Sequence, residues 1–282
     1  MQVSELSPHL VRALGGLFGL AGGVAAGRLA DALPPRYEIR HLTQGSARAR
    51  RNVVLVVLGI LIGVALAHFT LMAPERSVAR AGIAFGTNLV LAISLTGAAA
   101  VDLEHMILPN EVTLGGAALA LATAYFRDVG LVGALVGMVA GVAITYLPAL
   151  LYKKIRGRSG MGIGDAKLAL LAGAWLGAEG VLFVIFAGAV QSALSATVMR
   201  LAGFQLAVPE SVKAEIDELR AKAAAGDAEA RELLGDDPMA ADVGDALANM
   251  RLPLGPFLVL GCLEFLFGQR EILRAWASFF DP

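Results

Sequence analysis

The most constraining feature of this chain is a series of apolar runs that takes up most of its length. A helix needs about 20 apolar residues to cross the hydrocarbon core of a bilayer. Eight runs are candidates for such helices, although the fourth and sixth are short. They cover approximately residues 10–30, 53–73, 81–101, 111–126, 129–152, 165–178, 180–204 and 252–270.

The composition supports a membrane protein, because 57% of the residues are hydrophobic and only 17% are charged. The sequence therefore predicts an all-α polytopic membrane protein with about eight transmembrane helices. The net charge of -1 gives no reason to expect nucleic acid binding. Cys262 is the single cysteine and lies in an apolar run, so neither a disulfide framework nor a cysteine-based zinc site is expected.

Basic residues predict the orientation of the chain, because Lys and Arg are enriched in short cytoplasmic loops. The loops at 31–52 and 153–158 hold nine basic residues, and the loops on the other side hold three. We therefore expect these two basic loops in the cytoplasm and both termini in the periplasm. The first apolar run is expected to be a retained helix and not a cleaved signal, since most of the positive charge follows it. The nine basic residues of the two expected cytoplasmic loops are Arg36, Arg40, Arg48, Arg50, Arg51, Lys153, Lys154, Arg156 and Arg158. The three basic residues of the loops on the other side are Arg76, Arg80 and Arg127.

Two aspartates lie at the boundaries of apolar runs, where an acid is costly and therefore a candidate functional residue. Asp102 ends the third run and Asp165 opens the sixth, with two crossings between them. An even number of crossings returns the chain to the same face, so the two carboxylates can meet. Taken singly, Asp165 could be a helix N-cap and Asp102 an interfacial acid. As a pair in a membrane, they could also form an ion or proton relay in a transporter.

Two motifs surround these aspartates. One is Asp-Leu-Glu-His-x-Ile-Leu-Pro-Asn from Asp102 to Asn110, and the other is Gly-x-Gly-Asp-x-Lys-Leu from Gly162 to Leu168. Together they resemble the bacterial type IV prepilin leader peptidases, which are intramembrane aspartyl proteases that also serve type II secretion. The resemblance covers roughly residues 83–204, and residues 253–258 are similar to a further motif in the family's last helix.

The resemblance implies that Asp102 and Asp165 are the catalytic pair of an aspartyl endopeptidase in the bacterial inner membrane. Its substrates would be prepilins or pseudopilins, whose basic leader is removed at the cytoplasmic face. Two carboxylates that share a site do not both ionise easily, so one is expected to act as acid and the other as base on a bound water. This chemistry requires no cofactor and no metal.

The residues around the pair receive weaker roles. Gly162 and Gly164 are expected to let a peptide backbone approach closely, while Pro109 and Asn110 break the helix so that water reaches the site. Lys167 either tunes the charge of Asp165 or extends its ammonium group to the interface. Glu104 and His105 are expected to support the site without acting as catalytic residues. His68, Gln191 and Glu264 are expected to face neighbouring helices and not the substrate.

The chain departs from the resembled family near its beginning. The loop 31–52 has no Cys-x-x-Cys pairs, and residues 23–28 lack the serine, phenylalanine and asparagine of the motif linked to N-methylation. We therefore expect no zinc and little or no methylation of the cleaved product. S-adenosylmethionine is expected as a cofactor only if methyltransferase activity is retained.

These predictions divide the chain into four regions. Residues 1–52 contain the first helix and a basic loop, and residues 53–204 form the catalytic core. Residues 205–251 are an insertion, and residues 252–282 contain the last helix and a periplasmic tail. The insertion has eleven acids against five bases and a helical pattern at 211–222. It is expected to be a soluble cytoplasmic spacer or protein contact, or to attract basic leaders. Membrane lipids are expected to surround the core, and the sequence does not specify an oligomeric state.

A presenilin-like protease is a rival interpretation, but its Tyr-Asp motif is missing at Val101-Asp102.

Overall fold

A computed structural model of the protein describes residues 2–37, 39, 43–72, 76–156, 162–203, 210–236 and 253–280. These residues form helices, short 3-10 turns and one isolated β-bridge, and they include no strand. The helices are α1 (Pro8–Ala32), α2 (Gly45–Leu71), α3 (Val78–His105), α4 (Asn110–Ala122), α5 (Gly130–Arg156), α6 (Ile163–Leu201), α7 (Glu210–Ala224), α8 (Ala228–Asp236) and α9 (Gly255–Phe280).

Five helices among the described residues are long and apolar enough to cross a membrane, so the chain is a multi-pass helical membrane protein. They are Pro8–Tyr37, Gly45–Leu71, Val78–His105, Gly130–Ile155 and Ile163–Leu201. By contrast, α4 has 13 residues, which is about 20 Å of helix. The count of eight crossings and the periplasmic termini therefore stay predictions.

The sixth and seventh apolar runs form one helical element, α6, whose backbone is interrupted at Gly177 with φ 79° and ψ -176°. This conformation is essentially open only to glycine. On α5, the Cα of Gly141 faces both Ala169 and Val181, which flank the interruption. The two halves of α6 therefore lie side by side against α5, and the interruption falls within the predicted run 165–178.

Arg127 joins the residues before this interruption to the end of α4. Its buried guanidinium donates hydrogen bonds to the carbonyls of Ala120, Ala174 and Trp175. Burial lowers the pKa of Arg127 to about 10, so the side chain keeps its charge at neutral pH. The end of α4 and the first half of α6 are thus tied to the turn that precedes α5.

Glycines allow the closest helix contacts, because the absence of a side chain lets two backbones approach. In the α1–α2 pair, a Cβ on Gly19 would collide with the Gly59 carbonyl. In the α5–α6 pair, Gly137 meets Gly173 in the same way. Both helix pairs therefore pack backbone against backbone at these glycines.

The last helix and the insertion at 205–251 were also predicted from the sequence. The last apolar run was predicted at approximately 252–270, and the helix that contains most of it, α9, extends further, to Phe280. A hydropathy rule ends a helix at its polar residues, whereas the backbone remains helical beyond them. The helical pattern at 211–222 is confirmed by α7. Residues 205–209 and 237–251 of the insertion, Arg40, and the 157–161 segment with Arg158 lie outside the described residues.

Candidate active site

Asp102 lies in the last turn of α3, and its side chain is buried, with 5% of the residue exposed. The helix ends at His105 because Met106 adopts a left-handed conformation with φ 56°. The Met106 N–H donates to the Asp102 carbonyl at 2.8 Å, which closes the turn. The chain therefore reverses directly beside the Asp102 carboxylate and leads into α4.

Asp165 lies in the first turn of α6 and is half-buried. The N-cap of this helix is Gly162, so Asp165 is not the N-cap residue. Its carboxylate accepts a hydrogen bond from the backbone N–H of Gly162. An acid in the first turn is also stabilised by the positive end of the helix dipole.

The structure brings the two aspartates together at one end of the helix bundle, close enough for the charge of Asp165 to act on Asp102. The first residue of α9 completes this arrangement, because the backbone N–H of Gly255 donates to the Asp102 carboxylate. A Cβ on Gly255 would collide with Asp102 Oδ2. Pro256 follows Gly255 and has no N–H, so Gly255 supplies the donor at this helix start.

Gly255 was not among the site residues predicted from the sequence, although it lies in the 253–258 motif. Leu108 lies beside it, with its Cδ2 3.1 Å from where a Gly255 Cβ would be. Leu108 also borders Gly164, since a Cβ there would be 3.4 Å from Leu108 Cβ. One apolar side chain therefore lines the site from the Asp102 turn to the start of α6.

Gly162 is exposed. A Cβ at this position would lie 3.6 Å from Asp165 Oδ2 and 4.0 Å from the Gly164 amide nitrogen, which are ordinary van der Waals contacts with the described residues. The missing side chain of Gly162 therefore lies directly beside the Asp165 carboxylate.

Lys167 binds Asn110 and not Asp165: its Nζ donates to Asn110 Oδ1 at 2.8 Å. The Asn110 backbone N–H in turn donates to the Tyr37 hydroxyl at 2.8 Å, and that hydroxyl donates to Glu111 Oε2. Pro109 is the N-cap of α4, as expected of a residue that breaks the chain between two helices. Tyr37 was missed by sequence reasoning because nothing local relates it to α4.

Glu104 is bound by Arg51 from α2 at 2.8 Å, and the Arg51 side chain is only 10% exposed. Arg51 also forms an ion pair with Asp31 of α1. His105 is buried, with its Nε2 3.9 Å from Glu104 Oε2. The first two helices are therefore joined to the turn of α3 that carries Asp102, through residues Asp31 and Arg51 that the sequence did not single out.

The three polar residues predicted to face helix partners do so. Gln191 donates to Glu264 at 2.7 Å, and Arg12 lies 3.4 Å from His68 Nδ1. Within the described part of the chain, no group of three or more His, Cys, Asp or Glu side chains is placed to hold a metal ion.

Comparison with known proteins supports the interpretation drawn from the two motifs. Residues 89–197 match the type IV leader peptidase family. The chain is similar to proteins named prepilin leader peptidase/N-methyltransferase from Neisseria gonorrhoeae, with 34% identity over 41% of each chain, and from Dichelobacter nodosus, with 32% identity over 38% of each chain. A protein of the same name from Pseudomonas putida is 35% identical over 38% of this chain and 37% of its own length.

The chain spans about two-fifths of the length of the curated relatives it matches, and no solved structure matches it. The matched segment contains both aspartates and both motifs that were identified in the sequence. The resemblance predicted from these motifs is confirmed. Residues 89–197 thus form a domain of the type IV leader peptidase family.

Proposed function

We propose that this protein is an aspartyl endopeptidase that removes the basic leader of type IV prepilins or pseudopilins at the cytoplasmic face of the bacterial inner membrane. The observation that carries the proposal is the convergence of Asp102 and Asp165 at one end of the bundle. The matched family and the names of the relatives supply the substrate class.

In this mechanism a water molecule lies between the two carboxyl groups. The ionised carboxylate takes a proton from the water while the water oxygen attacks the scissile carbonyl carbon. The protonated carboxyl gives a proton to the carbonyl oxygen. Collapse of the tetrahedral intermediate breaks the C–N bond, and a proton passes to the leaving amine. The Gly255 N–H helps to hold the Asp102 carboxylate in place through this cycle.

The surroundings suit an extended peptide. Gly162 has no side chain beside Asp165, which suits the approach of a substrate backbone, and the Pro109–Asn110 break between α3 and α4 admits water. Lys167, Glu104 and His105 are assigned supporting roles, since Lys167 binds Asn110 and Glu104 binds Arg51. The proposed topology has eight crossings, with the two halves of α6 as separate crossings and both termini in the periplasm.

N-methylation is left out of the proposed activity, although the relatives' names include it. The residues of the first loop do not fit the metal site that the resemblance associates with that part of the chain. Cys262, the single cysteine, is buried in α9, and Arg36, Arg48 and Arg51 are paired with acids. We expect the mature product to lack an added methyl group.

The test is cleavage of a prepilin-type peptide by the purified full-length protein, read by mass spectrometry. Asp102→Asn and Asp165→Asn should each slow cleavage by about 10²–10⁴-fold, the usual contribution of general acid–base groups. Asp217→Asn, on the exposed surface of α7, is the matched control and should cleave normally. Substantial cleavage by either site variant would contradict the mechanism.

The transporter interpretation is not favoured, because the curated relatives are named peptidases. Proton flux in proteoliposomes that depends on both aspartates, without any peptide cleavage, would favour it instead.

A further inference from the structure

A cavity of about 630 Å³ lies between the end of α2, the start of α3 and the second half of α9. Its inner wall is apolar and includes Leu66, Ala84 and Leu266. It lies at the opposite end of the bundle from the aspartates, because α9 begins beside Asp102 and reaches this cavity near its other end. The volume is typical of sites for small organic ligands.

The mouth of this cavity carries an excess of positive charge. Arg76 is neutralised by an ion pair with Asp128. Arg270 and Arg274 are exposed, lie four residues apart on α9 and line the cavity together with Glu271. Two arginines against one glutamate leave one net positive charge, which a single phosphodiester would balance. Arginine is well suited to this role, since its guanidinium matches phosphate oxygens in a bidentate geometry.

A second, almost wholly apolar cavity of about 170 Å³ adjoins the first. The two cavities share the lining residues Thr70, Ala81 and Phe85, so they lie next to each other. The apolar part runs between α1 and α3, past Leu14 and Phe18. These two side chains are exposed on the outer surface of a membrane-crossing helix, so the apolar groove opens toward the surrounding lipid.

A charged chamber next to an apolar groove matches the chemistry of an amphiphile with an anionic head. We propose that this composite cavity binds one anionic glycerophospholipid, with its phosphodiester at Arg270 and Arg274 and an acyl chain in the groove beside Phe85. A free phosphate would leave the groove unfilled, and a zwitterionic lipid would leave the net charge of the mouth unbalanced. Such a lipid contacts α1, α2, α3 and α9 at once and stabilises their packing.

The test measures lipid binding to the purified full-length protein by native mass spectrometry. Phosphatidylglycerol should bind more tightly than phosphatidylcholine with the same acyl chains. Arg270→Gln and Arg274→Gln should each weaken phosphatidylglycerol binding about fivefold, the effect expected of one arginine near an anionic headgroup. Phosphatidylcholine binding should not change in these variants.

Two controls make the result specific. Arg28→Gln and Arg50→Gln remove exposed arginines from the other end of the bundle and should leave the preference intact. Gly82→Leu extends a side chain into the groove from a position where a Cβ meets nothing within 4 Å, and it should weaken binding of the diacyl lipid. Equal binding of both lipids by the wild type would overturn the proposal, as would an equal loss in the control pair. Tight binding of the deacylated headgroup alone would also overturn it.

Discussion

The backbone N–H of Gly255 donates a hydrogen bond to the carboxylate of Asp102, so the first residue of α9 contacts the last turn of α3. No side chain separates the two, because a Cβ on Gly255 would collide with Asp102 Oδ2. The last helix therefore takes part directly in the geometry of the aspartate pair.

Gly255→Ala should damage the site more than the fold. The added Cβ must displace the Asp102 carboxylate, and a misplacement of about 1 Å can lower an enzymatic rate about 10²-fold. Overpacking of this kind costs about 1–3 kcal/mol of stability. Cleavage rate and melting temperature are the measurements. Gly115→Ala is the control, since a Cβ there meets nothing within 4 Å, and wild-type cleavage by Gly255→Ala would contradict the assignment.

Arg51→Met should loosen the attachment of α1 and α2 to the Asp102 turn. It removes ion pairs to Asp31 and Glu104 and leaves both acids partly buried without this partner. The loss should be about 2–3 kcal/mol, below the ~3–5 kcal/mol of a fully buried pair because the acids retain some solvent contact. Arg50→Met removes an exposed neighbour and should change stability very little. Unfolding free energies of the two variants in the same detergent give the comparison, and equal values would argue against the role of Arg51.

Gly177→Ala should destabilise the protein because alanine is strained at φ 79° and ψ -176°. The expected cost is about 1–3 kcal/mol, typical of a residue held in such a region. Gly86→Ala, within the regular helix α3, should be neutral or stabilising, since alanine is the better helix former by up to about 1 kcal/mol. Reversible denaturation in mixed micelles measures both, and a neutral Gly177→Ala would show that the backbone interruption is absent.

Single cysteines should report opposite sides of the membrane for the two ends of the bundle. In a Cys262→Ala background, Ser46→Cys at the start of α2 should react with an impermeant maleimide only from the cytoplasm. Ser77→Cys at the N-cap of α3 should react only from the periplasm. Labelling of intact cells and of inverted vesicles provides the two measurements. If both positions react from one side, the proposed orientation is wrong.

Much of the fold was accessible from the sequence because the free energy of placing a segment in a bilayer depends mainly on its own composition. The long runs that become α1, α2, α3 and α5 were predicted for this reason. The runs 165–178 and 180–204 were predicted as separate spans, and they lie in one helical element, α6, that is interrupted at Gly177. The extension of α9 beyond its apolar run was not predicted, because polar residues beyond such a run do not by themselves end a helix.

Part of the candidate active site was likewise predictable from the sequence, and part was determined only by the tertiary structure. The two motifs and an even number of crossings predicted that Asp102 and Asp165 lie on one face, which needed only the order of the apolar runs. Tertiary structure decided the rest: the Gly255 N–H at Asp102, the Arg51–Glu104 ion pair and the Lys167–Asn110 hydrogen bond. These contacts join residues far apart in the chain. A hydrogen bond needs its two atoms within about 3 Å and in line, so helix packing, and not local composition, determines which partners meet.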